Sequence, residues 1–284
     1  MLSILIPTYN YDVTALVEEL YQQCVDCSIQ FEILVFDDGS NSSLNSQNKS
    51  IKNLNNCEFK SLEKNIGRSA IRNLLAKHSR FENLLFLDSD VLPESSNFIQ
   101  NYVNCKQMDV VSGRIVETKT PPKKPKRLRW LYTKKRERSE ITSANFLIKK
   151  ELIVQNKFNE SLKSYGYEDV FFFNALRRMG IQINTIKNPV IHLGNDDAND
   201  FLLKTNSALD NLMLSIKNND TKAEHHRIAK TFLWFFKLGL VGLISKLFLI
   251  AKPLLIQNFN SSYPLIFLYD FYRLGYFSTL KTKK

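Results

Sequence analysis

Leu84-Leu85-Phe86-Leu87-Asp88-Ser89-Asp90 is the stretch on which the reading of the whole chain turns. Its apolar run reads as a buried strand, and its polar end as the turn where the chain leaves a sheet. Residues i and i+2 of a strand share a side, so Asp88 and Asp90 can converge on one cation or one polyphosphate. Paired hard oxygen ligands suit Mg²⁺ or Mn²⁺. Two acids in such a turn also serve as plain solvated or capping groups, so the surrounding sequence has to decide.

Upstream, SILIP (3–7) reads as a first strand ended by Pro7, followed by a helix from about Val13 to Cys24 and by FEILVFDDGS (31–40), a buried strand with its turn. A polar stretch from Asn41 to Asn56 leads to a short strand near Glu58-Phe59-Lys60. NIGRSAIRNLLA (65–76) is then a glycine-led entry into a helix. Repeated strand–helix units imply an α/β fold with a mainly parallel sheet flanked by helices. In such sheets ligands sit beyond the carboxyl ends of the strands. Thr8 to Asn10, Asp37 to Ser40 and Asp88 to Asp90 all fall at such ends, so three termini supply polar groups to one crevice.

Downstream, SANFLIKKEL (143–152) reads as a strand and a helix start. Glu168-Asp169 opens a helix that continues through Phe171, Phe173 and Leu176, which puts two acids at a positive helix end. Helix capping alone would also place an acid pair there. His192 follows another short apolar strand in NPVIHLG (188–194), where a lone histidine is either structural or a metal ligand. Imidazole combined with carboxylates favours Mn²⁺ over Mg²⁺.

The 284 residues, 44% hydrophobic, suffice for one large α/β domain or one domain with an appendage, and exclude disorder throughout. A net charge of +11 predicts anionic partners: nucleotide phosphates, nucleic acid or an anionic membrane. Cys24-x-x-Cys27 has the spacing of half a zinc site, but both cysteines fall in a helical pattern with Leu16 and Leu20, and Cys57 and Cys105 are isolated. Ordinary reduced thiols in a cytosolic chain are the expectation.

The stretch from Thr118 to Arg138 is proline-punctuated and strongly basic, either a solvated loop or a flap that meets an anionic acceptor, a donor diphosphate or lipid head groups. It lacks a recognition helix or an RNA-binding aromatic motif, so no nucleic-acid partner is expected. No signal peptide and no uninterrupted apolar run of about 18 residues is visible. From about Arg227 to Phe277 the chain is apolar and aromatic. Lys230, Lys237 and Lys252 fall on one face of a continuous helical period and Lys246 opposite. This reads as an in-plane membrane anchor, against a helix packed on the core or a dimer interface.

SILIPTYN, EILVFDDGS, NIGRSAIRN, FLDSD and GYEDVFFFNALRRMG together resemble the family-2 glycosyltransferases of GT-A fold, in the family's order over about residues 2 to 195. The resemblance implies a nucleotide-sugar donor, usually a UDP-sugar. It implies donor contacts from Pro7, Thr8, Tyr9, Asp38, Asn65, Gly67, Arg68, Arg72, Asp88 and Ser89, with Asp38 at the base edge and Asp88 near the ribose. Asp90 and His192 are the implied metal ligands. Asp169 is the implied base, with Glu168, Tyr167 and Gly166 on the acceptor. The expected domains are a nucleotide-sugar-binding half (1–115), an acceptor-binding catalytic half (116–222) and a C-terminal helical, membrane-associating segment (223–284).

The expected activity is inverting, metal-dependent transfer of a hexosyl or N-acetylhexosaminyl group to a hydroxyl of a lipid-linked or cell-surface glycan, on the inner face of the cell membrane. Two rivals stand beside it. LLFLDSDV also fits the nucleophile pattern of haloacid-dehalogenase-like phosphotransferases, although it comes after two strand–helix units and no acidic metal motif follows. A non-catalytic protein of the membrane surface would explain the tail but not the acids at separate strand ends.

Overall fold

The computed structural model describes residues 1–137, 141–162, 165–194, 196–217 and 226–282. The expected boundary at 222/223, Arg138 at the end of the basic stretch and Ser164 lie outside them. In chain order the elements begin β1 (Leu2–Thr8), α1 (Thr14–Asp26), β2 (Phe31–Asp37), α2 (Leu44–Asn48), β3 (Cys57–Ser61), α3 (Arg68–His78) and β4 (Asn83–Leu87). Next come β5 (Val91–Pro93), α4 (Phe98–Val103), β6 (Val110–Ser112), β7 (Ile115–Glu117), α5 (Arg127–Tyr132), β8 (Asn145–Lys149) and α6 (Lys150–Gln155). The chain ends with α7 (Glu168–Arg178), β9 (Ile183–Thr185), β10 (Val190–His192), α8 (Ala198–Lys217), α9 (Arg227–Lys237), α10 (Val241–Phe259) and α11 (Ile266–Thr282).

Two compact units divide these elements. The first comprises Met1–Thr118, Arg136–Lys163 and Glu168–Gly194. It holds a seven-stranded sheet of order β3-β2-β1-β4-β8-β6-β9 and a three-stranded sheet of order β5-β10-β7. Strands β1 to β4 run parallel, so Thr8, Asp37 and Leu87 all end at one edge of the sheet; β8 is antiparallel to both of its neighbours. The continuous apolar runs are explained by burial on both faces. Leu2, Ile4, Ile6, Ile33, Val35, Leu85 and Leu87 pack with α1 and α4 on one side. Their alternates Leu5, Leu34, Phe36, Leu84 and Phe86 pack with Ile71, Leu75, Phe158, Phe172 and Phe173 on the other.

Pro7 does not end β1, contrary to the sequence expectation: the strand continues to Thr8, with Pro7 opposite Phe36 of β2. Pairing with β4 stops at Leu5, so beyond it β1 has a ladder partner on the β2 side only, a setting that tolerates a residue without an N–H.

The second unit comprises Lys119–Lys135, Ser164–Tyr167 and Asn195–Lys284. The basic stretch contributes to a helical core. Leu128 of α5 is fully buried with Ala198, Phe201, Phe248, Leu255, Phe259, Tyr269 and Tyr272. A free loop over the whole stretch is therefore corrected: Arg127–Tyr132 is a packed helix, its apolar residues Leu128, Leu131 and Tyr132 at helical spacing. Gly275 of α11 lies so close to Phe248 of α10 that an added Cβ would stand 2.5 Å from it, and these helices form the most intimate pair in the unit. All four cysteines are free thiols, and burial pushes Cys57 up to about 12 and Cys24 higher still. Cys24 is buried on α1, as the helical pattern of Leu16, Leu20 and Cys24 predicted.

Candidate active site

At the carboxyl edge of the parallel strands, each turn is tied to the next by carboxylates. Asp37 is fully buried and accepts from Ser40 Oγ (2.6 Å), Asn45 Nδ2 (2.9 Å) and Ser61 Oγ (2.8 Å), which closes the DDGS turn. Asp38 reaches across and takes the backbone N–H of Ile66 (2.7 Å) and Gly67 (3.0 Å). Burial pushes its carboxyl up while those two donors pull it down. The contacts seen for Asp38 thus set the shape of the glycine turn. Gly67, the residue before α3, sits at φ +93° and ψ +158°, a conformation that a side chain would strain. Thr8 is buried beside this edge, Pro7 and Ser89 are half-buried, and Tyr9 and Asn65 are exposed.

Both arginines of α3 turn to Asp88. Arg72 is buried, with Nη2 2.5 Å from Asp88 Oδ1 and its guanidinium over the ring of Phe158. Arg68 is more exposed and bridges two acids, Nη2 to Asp88 Oδ2 at 3.4 Å and Nε to Glu168 Oε1 at 3.0 Å. Asp88, Arg68, Arg72 and Glu168 therefore form one network although 100 residues separate Arg68 from Glu168. Arg72 Nε is buried with no partner among the described residues, an orphan donor of the kind a phosphate oxygen satisfies.

Asp169 follows at the start of α7. Its carboxylate accepts the N–H of Val170 (2.8 Å) and of Ser143 (3.4 Å). Burial and the neighbouring Glu168 nevertheless push it up to about 7, against the pull of those donors and of Arg72. A carboxyl poised near neutrality is suited to take a proton.

Asp90 and His192 meet in the same unit, with His192 Nε2 3.4 Å from Asp90 Oδ2. The other ring nitrogen, Nδ1, lies 3.2 Å from Glu117 Oε1, and both of these side chains are buried. Glu117 was not singled out from the sequence. It ends β7 exactly opposite His192 in the parallel register of β10, so strand pairing sets the two side by side. With the proton on Nδ1 toward Glu117, Nε2 is left as a lone-pair donor for a cation shared with Asp90. Gly194, also missed, closes the pair: a Cβ on it would stand 2.4 Å from Asp90 Oδ2 and 2.6 Å from His192 Nε2. Its signal in the sequence was its place two residues after the histidine.

Among the described residues, no group of three or more His, Cys, Asp or Glu side chains forms a ready-made metal cage. The donors present fit a divalent ion that takes its remaining ligands from a bound diphosphate: one carboxylate, one oriented imidazole, and a glycine leaving the space beside both. Gly166 and Tyr167 belong to the second unit. There the Gly166 carbonyl accepts from Asn211 Nδ2 (3.0 Å), and the Tyr167 ring meets His226 edge-on at 4.7 Å.

Comparison with known proteins agrees with this architecture. The mannosyltransferase PcManGT from Pyrobaculum calidifontis, solved with GDP-Man and Mn²⁺, superposes with a TM-score of 0.60 over 100% of this chain and 88% of its own, at 14% identity. S. aureus TarS 1–349 superposes at 0.51 over 99% of this chain and 92% of its own, at 18% identity. A longer S. aureus TarS chain gives 0.50 at 22% identity over 75% of this chain, which spans 39% of its length. TarS 1–349 has also been solved with UDP and with UDP-GlcNAc. At these identities the likeness establishes a shared fold. No curated protein sequence matches the chain significantly. The profile of the family described as glycosyl transferase family 2 matches residues 3–179, well over half of the chain, and the protein belongs to that family.

Proposed function

We propose that this glycosyltransferase is inverting and metal-dependent, and moves a hexosyl or N-acetylhexosaminyl group from a UDP-sugar to a hydroxyl of a lipid-linked or cell-surface glycan. The observation that carries the reading is the ion-pair network in which Arg68 and Arg72 hold Asp88 and Arg68 also holds Glu168, with the Asp169 carboxyl next to it at the start of α7.

In this reading Arg72 and Arg68 orient the donor through Asp88 and the diphosphate, and the turn at Gly67 lets the backbone approach the nucleotide. Glu168 holds the acceptor, and Asp169 takes the proton of its hydroxyl. The acceptor oxygen then bonds to the anomeric carbon from the face opposite the diphosphate. The carbon–oxygen bond to the diphosphate breaks, and its electron pair leaves with that oxygen. Asp90 and His192 would hold Mn²⁺ in preference to Mg²⁺, and the ion supplies charge to the departing diphosphate. Glu117 keeps His192 oriented for that task.

The test is release of nucleoside diphosphate over a panel of UDP- and GDP-sugars with candidate acceptors and Mn²⁺. Turnover that Asp90→Ala abolishes is expected. Absence of turnover with every donor and acceptor pair would overturn the assignment.

A further inference from the structure

Helices α9 to α11 present an apolar surface that the second unit leaves uncovered. Trp234, Phe236, Leu238 and Leu240 are exposed at the end of α9 and in the following turn. On α10, Leu243, Leu247, Ile250 and Leu254 recur at helical spacing on the outward side, with Ile250 77% and Leu254 70% exposed. Tyr263, Leu265 and Phe267 continue the surface into the start of α11. Soluble monomers rarely leave so many large apolar side chains together in water.

Charge selects the occupant. From Arg227 to Tyr269 the sequence contains Arg227, Lys230, Lys237, Lys246 and Lys252 and no Asp or Glu. Further cations attend the exposed rings: Lys281 lies over Phe236 at 5.2 Å, and Arg127 over Tyr263 at 5.7 Å. A second copy of the chain docking here would set cations against cations. An anionic lipid surface complements both the apolar stripe and its basic flank, with aromatic rings at the level of the head groups.

Among the described residues, helix α10 alone is long and apolar enough to cross a membrane by length and composition. Its inward side, however, carries Phe248, Leu255 and Phe259 into the core shared with α8 and α11. Crossing the bilayer would strip that core, whereas lying in the interface uses only the outward side. We infer that the α9–α10–α11 surface seats the protein in the plane of an anionic bilayer, with Ile250 and Leu254 among the side chains that enter the acyl region. This goes beyond the transfer reaction and does not depend on it.

The test uses the full chain and vesicles of phosphatidylcholine, alone or mixed with phosphatidylglycerol, read by flotation. A Trp130→Phe variant leaves Trp234 as the one tryptophan, since the chain has two. Flotation with the mixed vesicles and a blue shift of Trp234 emission are expected. Ile250→Glu combined with Leu254→Glu should weaken binding about tenfold or more while leaving UDP binding and the circular dichroism spectrum unchanged. Lys237→Glu with Lys246→Glu should weaken binding to the mixed vesicles only.

Equal binding of both vesicle types, or undiminished binding by the Ile250/Leu254 variant, would overturn the inference. So would sedimentation equilibrium showing a dimer that this variant dissolves, in a chain that ignores vesicles. Loss of sugar transfer in any variant bears on the reaction and leaves the lipid result standing.

Discussion

Asp169 sits at the second position of α7, and its environment sets the sign of two pH effects. Its folded affinity for protons is raised from an ordinary 3.8 to about 7, so it is a carboxylate base above that pH and a neutral acid below. Transfer should therefore fall as pH drops through about 7, and Asp169→Asn should cut the rate by about 10²- to 10⁴-fold with donor binding kept, as single-turnover assays and calorimetry would show. Unchanged transfer would remove Asp169 as the base. The raised value also means that the folded state binds the extra proton, so this group's contribution to stability is present below its ordinary value and lost as pH climbs toward 7. Asp169→Asn should accordingly gain more in Tm at pH 8 than at pH 5. At the metal pair, Glu117→Gln and Gly194→Ala should each lower Mn²⁺ affinity about 10- to 100-fold, measured by electron paramagnetic resonance with UDP present. Asp90, His192 and Asp169 could be singled out in the sequence because each follows a strand or opens a helix with a recognisable pattern. Glu117 could not, since only the β7–β10 register brings it to a histidine 75 residues away.

Helix α3 shows how a single element carries the donor side. Its entry rests on Gly67 in a backbone region almost closed to other residues, and on Asp38, which collects the two N–H groups of that turn. From there Arg68 and Arg72 reach Asp88 from successive turns of the helix. Gly67→Ala should cost about 1 to 3 kcal/mol through backbone strain, and weaken UDP binding because the turn shifts with it. Thermal unfolding and calorimetry would check both, and an unchanged Tm would show that the turn relaxes freely. The strands and helices of this half were readable because both faces of the sheet are buried, which leaves long apolar runs and glycine punctuation. The C-terminal helices were less so. A single helical period over Lys230, Lys237, Lys246 and Lys252 assumed one continuous helix, but Gly239, at φ +70°, breaks the chain between α9 and α10. In the structure Lys246 is exposed on the outward arc of α10 and Lys252 is half-buried. Helix α5 was hidden for a related reason, because its few apolar residues are set among lysines and arginines whose composition reads as solvated chain.

Among the described residues the cores are separate, two on the faces of the sheet and one among the C-terminal helices, and the chain passes between the compact units several times. That division gives the donor reading a thermodynamic test that needs no turnover. A ligand that binds only the folded form stabilises by RT ln(1 + [L]/Kd), about 2.7 kcal/mol at 100 times Kd, and it acts on the cooperative unit that holds its site. Arg68, Arg72, Asp88, Asp90 and His192 all belong to the first unit, whereas both tryptophans, Trp130 and Trp234, belong to the second. Far-UV circular dichroism therefore reports both units, and tryptophan emission the second. UDP with Mn²⁺ should raise the circular dichroism midpoint, and Asp90→Ala should abolish the shift. A shift of both signals together would mean that the two units unfold as one. A shift of neither at saturating UDP would contradict a donor site built on the carboxyl edge of the sheet.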